Sequence, residues 1–155
     1  MPNGLVQGRD GLTYVPCTLD GTIKVFRLSE SHMLVKVNEI KVPLPIDNLS
    51  VDESGDIYAA TLPKIYIWAE STKDPFNTNP PAAVFRIQKS VREVGGETNR
   101  YKETDAIYIV EKVLEDDGSV LPGATTAVHD ASTGRIFLSG VMSPFIAICE
   151  PTGHR

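Results

Sequence analysis

The feature that most constrains this fold is a short unit that recurs along the chain: a turn glycine followed by an apolar or aromatic strand. It occurs three times, as Asp10-Gly11-Leu12-Thr13-Tyr14-Val15, Ser54-Gly55-Asp56-Ile57-Tyr58-Ala59 and Thr133-Gly134-Arg135-Ile136-Phe137-Leu138. After each copy comes a second β-rich run, at residues 22–26, 64–68 and 145–149. Helical periodicity is weak throughout. The pattern therefore predicts an all-β fold in which hairpin pairs build the blades of a β-propeller.

The spacing of the repeat predicts the number of blades. Gly11 and Gly55 lie 44 residues apart, a plausible blade length, whereas Gly55 and Gly134 lie 79 apart. The excess falls in a polar stretch, residues 88–105, which we predict to be a long surface loop between strands at 83–87 and 106–110. We expect one domain over residues 1–155, with about three blades of four-stranded antiparallel sheet.

A closed propeller needs four or more blades, so three blades predict a truncated one, the C-terminal half of a longer protein. Its unpaired strand edges, expected near residues 3–15 and 145–149, would favour self-association.

Composition excludes several classes of partner. The 155 residues are 41% apolar and carry a net charge of −5, with no block of Lys or Arg. Nothing therefore favours nucleic acid or an anionic membrane surface, and a cation suits the acidic balance better. The sequence shows neither a membrane-spanning run nor the basic and apolar regions of a signal peptide at its start, and it assigns no compartment to this chain.

The cysteines and histidines do not form a recognisable site. Cys17 and Cys149 show neither the spacing of a redox pair nor the clustering of a zinc site, and we expect Cys17 to be a small buried thiol. His32, His129 and His154 are scattered, and we expect each to be a surface or structural residue rather than a catalytic one.

Four sequence pieces occur in an order that resembles the C-terminal half of the serum paraoxonase/arylesterase family. They are Asn3-Gly4-Leu5 with residues 9–15, Asp47-Asn48-Leu49-Ser50-Val51-Asp52 with residues 55–58, residues 80–88, and residues 118–126. Any one piece would be weak evidence for the resemblance. The resemblance, however, extends over nearly the whole chain, down to Cys149-Glu150.

The resemblance implies a function. Members of that family are six-bladed propellers with two calcium ions in the central tunnel, and they hydrolyse lactones, aryl esters and, promiscuously, phosphotriesters. Asn3, Asp47 and Asn48 match three of the side chains that hold the catalytic calcium. Carboxylate and carboxamide oxygens suit Ca²⁺, and a single negative charge among neutral ligands leaves the ion electrophilic. A calcium-dependent hydrolase of small esters or lactones is thus the leading hypothesis.

Other interpretations of Asp47 and Asn48 exist. Such residues before a strand are commonly turn formers that bond their own backbone. Asn48 also begins an Asn-Leu-Ser glycosylation sequon, which a ligand inside the tunnel could not use; we favour the metal. Adjacent residues of a regular strand face opposite sides, so both can reach one ion only if the chain bends, and we expect that bend before the strand, at the proline-spaced residues 42–46.

The chain also departs from the family pattern. The remaining calcium ligands, the second calcium site and the paired histidines proposed to activate water lie in the family's N-terminal half, so we expect no catalytic residue here and little activity from the isolated chain. Leu62 stands where some members place an active-site histidine. By position, six residues would line the substrate pocket: Leu19, Leu62, Ile65, Tyr66, Thr125 and Met142.

The resemblance also bears on Cys149. In paraoxonases a cysteine at this position pairs with one near the N-terminus, so Cys149 would be a free thiol here and a full-length parent would be secreted into an oxidising compartment.

Three alternatives stay open. They are a gluconolactonase of the senescence-marker group, which typically has Pro-Asp-Gly in place of Ile46-Asp47-Asn48; a metal-free strictosidine-synthase-like propeller; and a non-enzymatic propeller scaffold.

Overall fold

The computed structural model describes residues 1–90 and 106–151. Within these residues the chain forms three antiparallel sheets and one short helix, α1 (Ile65–Ser71). The first sheet contains β1 (Val6–Gln7), β2 (Thr13–Cys17), β3 (Thr22–Leu28) and β4 (Leu34–Lys41) in sequence order. The second contains β5 (Ile46–Val51), β6 (Ile57–Thr61), β7 (Ala82–Ser90) and β8 (Ile107–Asp116), and the third β9 (Thr126–Asp130), β10 (Arg135–Ser139) and β11 (Ala147–Cys149). The prediction of an all-β fold of propeller-like blades is confirmed.

The repeated glycine unit has the same role in each sheet. Gly11, Gly55 and Gly134 have φ angles of +77°, +89° and +73°, and each lies in the turn before the second strand of its sheet. Glycine adopts this left-handed conformation without the steric cost of a Cβ atom. The sequence repeat is therefore a repeat of one backbone turn.

The second sheet is packed on both of its faces. Successive residues of a strand point to opposite faces, so Ile57 and Ala59 of β6 pack against the first sheet, whereas Tyr58 and Ala60 pack against the third. The first strand of the second sheet, β5, lies against both β1 and β9, the first strands of the other two sheets. These three strands are the innermost of their blades.

Strand direction gives the sheets two distinct ends. Asn3, Asp47 and Thr125 precede or open the innermost strands and lie at one end, which we call the upper end. The glycine turns at Gly11 and Gly55 lie at the opposite, lower end, as does the third glycine turn.

One predicted strand is wrong. Residues 64–68 were expected to pair as a second β-run, but Ile65–Ser71 forms α1. The edge of β6 that this segment would need is occupied by β7, whose nine residues alternate well between the two packed faces. Without a strand partner, the segment satisfies its backbone as a helix, in which the Ser71 hydroxyl donates to the Trp68 carbonyl at 2.7 Å.

Other predicted boundaries need smaller corrections. Strand β7 continues through Ser90, so the predicted loop at 88–105 begins at least three residues later, and its residues 91–105 lie outside the described part of the chain. Strand β11 covers only Ala147–Cys149. The expected edges are found at β1 and β11, but β2 is an interior strand.

The cysteines follow the predictions: Cys17 is a buried free thiol and Cys149 is a free, half-buried one. Burial is the main cause that raises the pKa of Cys149. Across the described residues, no helix is both long and apolar enough to cross a membrane.

The outer face of the third sheet carries an apolar stripe. Phe137 of β10 lies directly between Val128 of β9 and Ile148 of β11 in the strand register. Val128 and Ile148 are 46% and 57% exposed. Apolar cross-strand neighbours of this kind are normally covered by another layer.

Candidate metal centre

Three amide and carboxylate side chains meet at the upper end, between the innermost strands. Asn3 Nδ2 donates a hydrogen bond of 2.6 Å to Asp47 Oδ1. The backbone N–H of Asn3 is held by the Pro16 carbonyl at 2.9 Å, which fixes the chain just before β1. Asn48, the next residue after Asp47, reaches across to the third sheet. The structure thus joins two of the candidate metal ligands, Asn3 and Asp47, directly, and the third, Asn48, lies beside Asp47 in the chain with its Oδ1 near Gly4.

An irregularity in β5 places Asp47 and Asn48 in this cluster. Ile46 pairs with Thr61 and Leu49 pairs with Ala59, so three steps along β5 match only two along β6. One extra residue is accommodated, as in a β-bulge, and a bulge re-aims side chains. The bend was predicted before the strand; it lies within the strand, at the two candidate ligands themselves.

The cluster has the electrostatics of a cation site. Asp47 is only 8% exposed, and among the described residues no Lys or Arg lies within ion-pair distance of it. Burial raises the pKa of Asp47, and the hydrogen bond from Asn3 only partly opposes this effect. A carboxylate that is desolvated without a counter-charge is stabilised by any cation that enters beside it.

The orientation of Asn48 is fixed by the third sheet. Its Nδ2 donates to the Thr125 carbonyl at 3.0 Å and to Thr126 Oγ1 at 3.3 Å. Its Oδ1 therefore points the other way, toward Gly4, where an added Cβ would stand 3.3 Å from this oxygen. The nitrogen that a glycan would occupy is thus used as a donor between sheets, which disfavours the sequon and leaves the amide oxygen as the available ligand atom.

The donor set fits calcium. Within the described residues, no three His, Cys, Asp or Glu side chains gather where they could hold a metal ion. The cluster instead offers one carboxylate and two carboxamides, all oxygen ligands, which suit a hard cation such as Ca²⁺ and not a thiolate- or imidazole-bound metal.

The six residues expected to line the pocket lie at the same upper end but differ in exposure. Leu19 and Tyr66 are 69% and 63% exposed, whereas Leu62 and Thr125 are buried. Ile65 and Met142 are half-buried. Ile65 and Tyr66 belong to α1 and not to a strand. Thr125 is the one of the six that contacts a candidate ligand, through its carbonyl.

Sequence reasoning missed a second polar group, at the lower end of the same strands. His129 Nδ1 lies 2.8 Å from Asp52 Oδ2, and the Asp52 side chain is only 1% exposed. The ring of His129 stacks on Tyr58, with 4.5 Å between centroids. His129 thus makes contacts within the fold, and His32 is exposed, while His154 lies outside the described residues. The available signal was the alternation of the polar residues Asn48 and Ser50 in β5, continued by Asp52 directly after it.

Comparison with known proteins gives a family match and a match to a solved structure. A family model described as arylesterase matches residues 1–144. No individually curated protein matches the chain. Among solved structures, a "putative 6-phosphogluconolactonase" from Bacteroides fragilis shares the fold, with a TM-score of 0.56 at 15% identity over 96% of this chain. The chain spans about a third (34%) of the length of that protein.

Proposed function

Because the chain belongs to the arylesterase family, we propose that it contributes a calcium site to an enzyme that hydrolyses small esters or lactones. The observation that carries this proposal is the cluster at the upper end, where Asn3, the buried Asp47 and Asn48 converge without a cationic partner among the described residues. The fold shared with the lactonase-like structure supports including lactones, which are cyclic esters.

In this proposal Asn3, Asp47 and Asn48 hold Ca²⁺ through side-chain oxygens. When bound, Ca²⁺ supplies an electrophile that polarises the carbonyl or phosphoryl oxygen of a substrate. Asp47 provides the negative charge, and the Asn48 amide is pre-oriented by Thr125, so its oxygen needs no reorganisation to act as a ligand. Leu62, Tyr66 and the other candidate pocket residues would shape the apolar wall around the substrate.

His129 is too far away to activate water at this site. It is bonded to Asp52, which lies four residues beyond Asn48, directly after the end of β5. A strand rises by about 3.3 Å per residue, so the two positions are separated by about 13 Å. A general base must lie within hydrogen-bond reach of the water it deprotonates. His129 therefore has another role.

The metal assignment can be tested by calorimetric titration of the chain with Ca²⁺. We expect Asp47→Ala and Asn48→Ala each to weaken binding, because each removes a ligand. Asp117→Ala is a matched control, because Asp117 is an exposed carboxylate that bonds its own turn. Equal affinity in the unaltered chain and in both ligand variants would contradict the assignment.

The activity expected of the 155-residue chain by itself is low. Ca²⁺ takes about six to eight oxygen ligands, whereas the described residues supply three candidate side chains. We therefore expect slow hydrolysis of phenyl acetate or none. Rapid hydrolysis that requires Ca²⁺ would show that this chain alone forms the whole site.

A further inference from the structure

Alternate residues of β5 form a polar ladder with β9. Asn48 and Ser50 lie two residues apart in β5 and so project from the same face of the strand, and Asp52 follows directly after its last residue. Asn48 Nδ2 donates to the Thr125 carbonyl at 3.0 Å, Ser50 Oγ to the Ala127 carbonyl at 2.6 Å, and Asp52 Oδ2 lies 2.8 Å from His129 Nδ1. Their partners Thr125, Ala127 and His129 are also two residues apart, the first just before β9 and the other two within it. We call these three contacts the ladder.

The ladder joins strands of different sheets. β5 and β9 are the first strands of the second and third sheets, so no shared sheet register holds them in place. The backbone contact between them at the upper end, Asn48 N–H to the Thr125 carbonyl, is long at 3.2 Å. The side-chain contacts are shorter. They therefore add three links between the two innermost strands to this backbone contact.

The lowest contact of the ladder is firmly anchored. Asp52 Oδ1 accepts a hydrogen bond from the Asp56 backbone N–H at 3.0 Å, so both carboxylate oxygens are engaged. His129 is held by its stack on Tyr58. This end of β9 therefore cannot slide along β5 without breaking several contacts. Ser50 carries that alignment up to Asn48.

We propose that Ser50 and the Asp52–His129 pair are positioning residues for Asn48. Asn48 Oδ1 faces its site only because Nδ2 is held by Thr125, so a shift between β5 and β9 would turn the amide. The part of this inference that concerns cation affinity rests on the proposed function; the part that concerns the position of Asn48 does not.

The test compares two serine-to-alanine variants. Ser50→Ala removes the middle contact, and Ser71→Ala removes a similar bond, from a buried serine hydroxyl to the Trp68 carbonyl at 2.7 Å, in α1. Ser50→Thr keeps the hydroxyl and should rescue the loss. His129→Phe, which keeps a ring to stack on Tyr58, removes the lowest contact as an independent second variant.

Two readouts are needed. The first is hydrogen exchange of the backbone amide of Asn48 in the absence of metal, measured by NMR. The second is affinity for Tb³⁺, a luminescent stand-in for Ca²⁺. We expect Ser50→Ala to speed exchange at Asn48 several-fold and to weaken Tb³⁺ binding about tenfold, the usual effect of losing a group that orients a ligand. Ser71→Ala should change neither, although it loses similar overall stability.

The outcomes separate the two proposals. Faster exchange at Asn48 in Ser50→Ala and His129→Phe but not in Ser71→Ala supports the positioning role, whether or not Tb³⁺ binds. If Tb³⁺ does not bind the unaltered chain but both ladder variants still speed exchange at Asn48, the metal site fails while the positioning role stands. Exchange at Asn48 that is unchanged in both ladder variants, or equally fast in Ser71→Ala, overturns the positioning role.

Discussion

Replacing Asp47 by Asn should stabilise the cation-free protein at neutral pH. The carboxylate is buried and, among the described residues, lacks a cationic partner, so burial raises its pKa. A folded-state pKa above the unfolded one means that the folded protein binds the proton more tightly. Stability therefore falls as pH rises from the ordinary aspartate pKa near 4 to the raised value, and the full cost is present above it. Asn is neutral at every pH and avoids this cost.

The magnitude follows from two terms. The cost is about 1.4 kcal/mol for each unit by which the pKa is raised. The hydrogen bond of 2.6 Å from Asn3 opposes it, because a bond to a charged acceptor contributes roughly 1.5–3 kcal/mol, against roughly 0.5–1.5 for a neutral one. The upward direction of the pKa already contains both terms, so burial outweighs the bond and Asp47→Asn should gain stability on balance.

Calcium should reverse the order of the two proteins. At a Ca²⁺ concentration about a hundred times Kd, a bound ion stabilises the fold by about 2.7 kcal/mol. For a chain of this size that corresponds to a rise in Tm of about 5–10 °C. Asp47→Asn lacks the only charged ligand of the cluster among the described residues, so its Tm should scarcely respond to Ca²⁺.

The assays are urea unfolding between pH 4 and 8 without Ca²⁺, and thermal unfolding with and without Ca²⁺. Asp117→Asn is the control, because hydrogen bonds from Ser119 lower the pKa of Asp117 and its removal should cost stability above the ordinary aspartate pKa, the opposite sign. If Asp47→Asn is less stable than the unaltered protein at pH 7 without Ca²⁺, the desolvation argument is wrong. If it keeps the full response to Ca²⁺, Asp47 is not a ligand.

Two further predictions concern the hydrogen bond between Asn3 and Asp47 and the apolar stripe of the third sheet. Asn3→Ala should raise the pKa of Asp47 further, because the hydrogen bond that it removes lowers that pKa. The measurement is an NMR titration of the Asp47 carboxyl carbon. A pKa that falls or does not change in the variant would show that the contact is unimportant. Ile148→Lys should reduce self-association, measured by sedimentation velocity, because it places a charge in the apolar stripe of the third sheet. Phe76→Lys, a control at a residue that is 92% exposed, should not reduce it. An unaltered chain that is monomeric at high concentration would count against this prediction.

The repeat was readable from the sequence because it is encoded locally. The glycines at 11, 55 and 134 must adopt positive φ at one kind of turn, and the strands that follow carry the apolar residues of the blade cores. The helix α1 was not readable in the same way. Ile65-Tyr66-Ile67-Trp68 has strand propensity, and what excludes it from a sheet is β7, seventeen residues further along, which occupies the edge of β6.

The candidate site, too, combines features that the sequence predicts with features that depend on contacts distant in the chain. The grouping of Asp47 and Asn48 with Asn3 was predicted from a resemblance over nearly the whole chain. The extra residue in β5 that re-aims Asp47 and Asn48 has no local sequence pattern to mark it. The ladder was missed for a related reason: its two strands belong to different sheets, so neither carries its partner's register. The polar alternation of Asn48, Ser50 and Asp52 would otherwise mark a solvent-facing side of a strand. Here that side faces another sheet, and the same three residues connect the candidate ligand at one end of the blades to a buried carboxylate at the other.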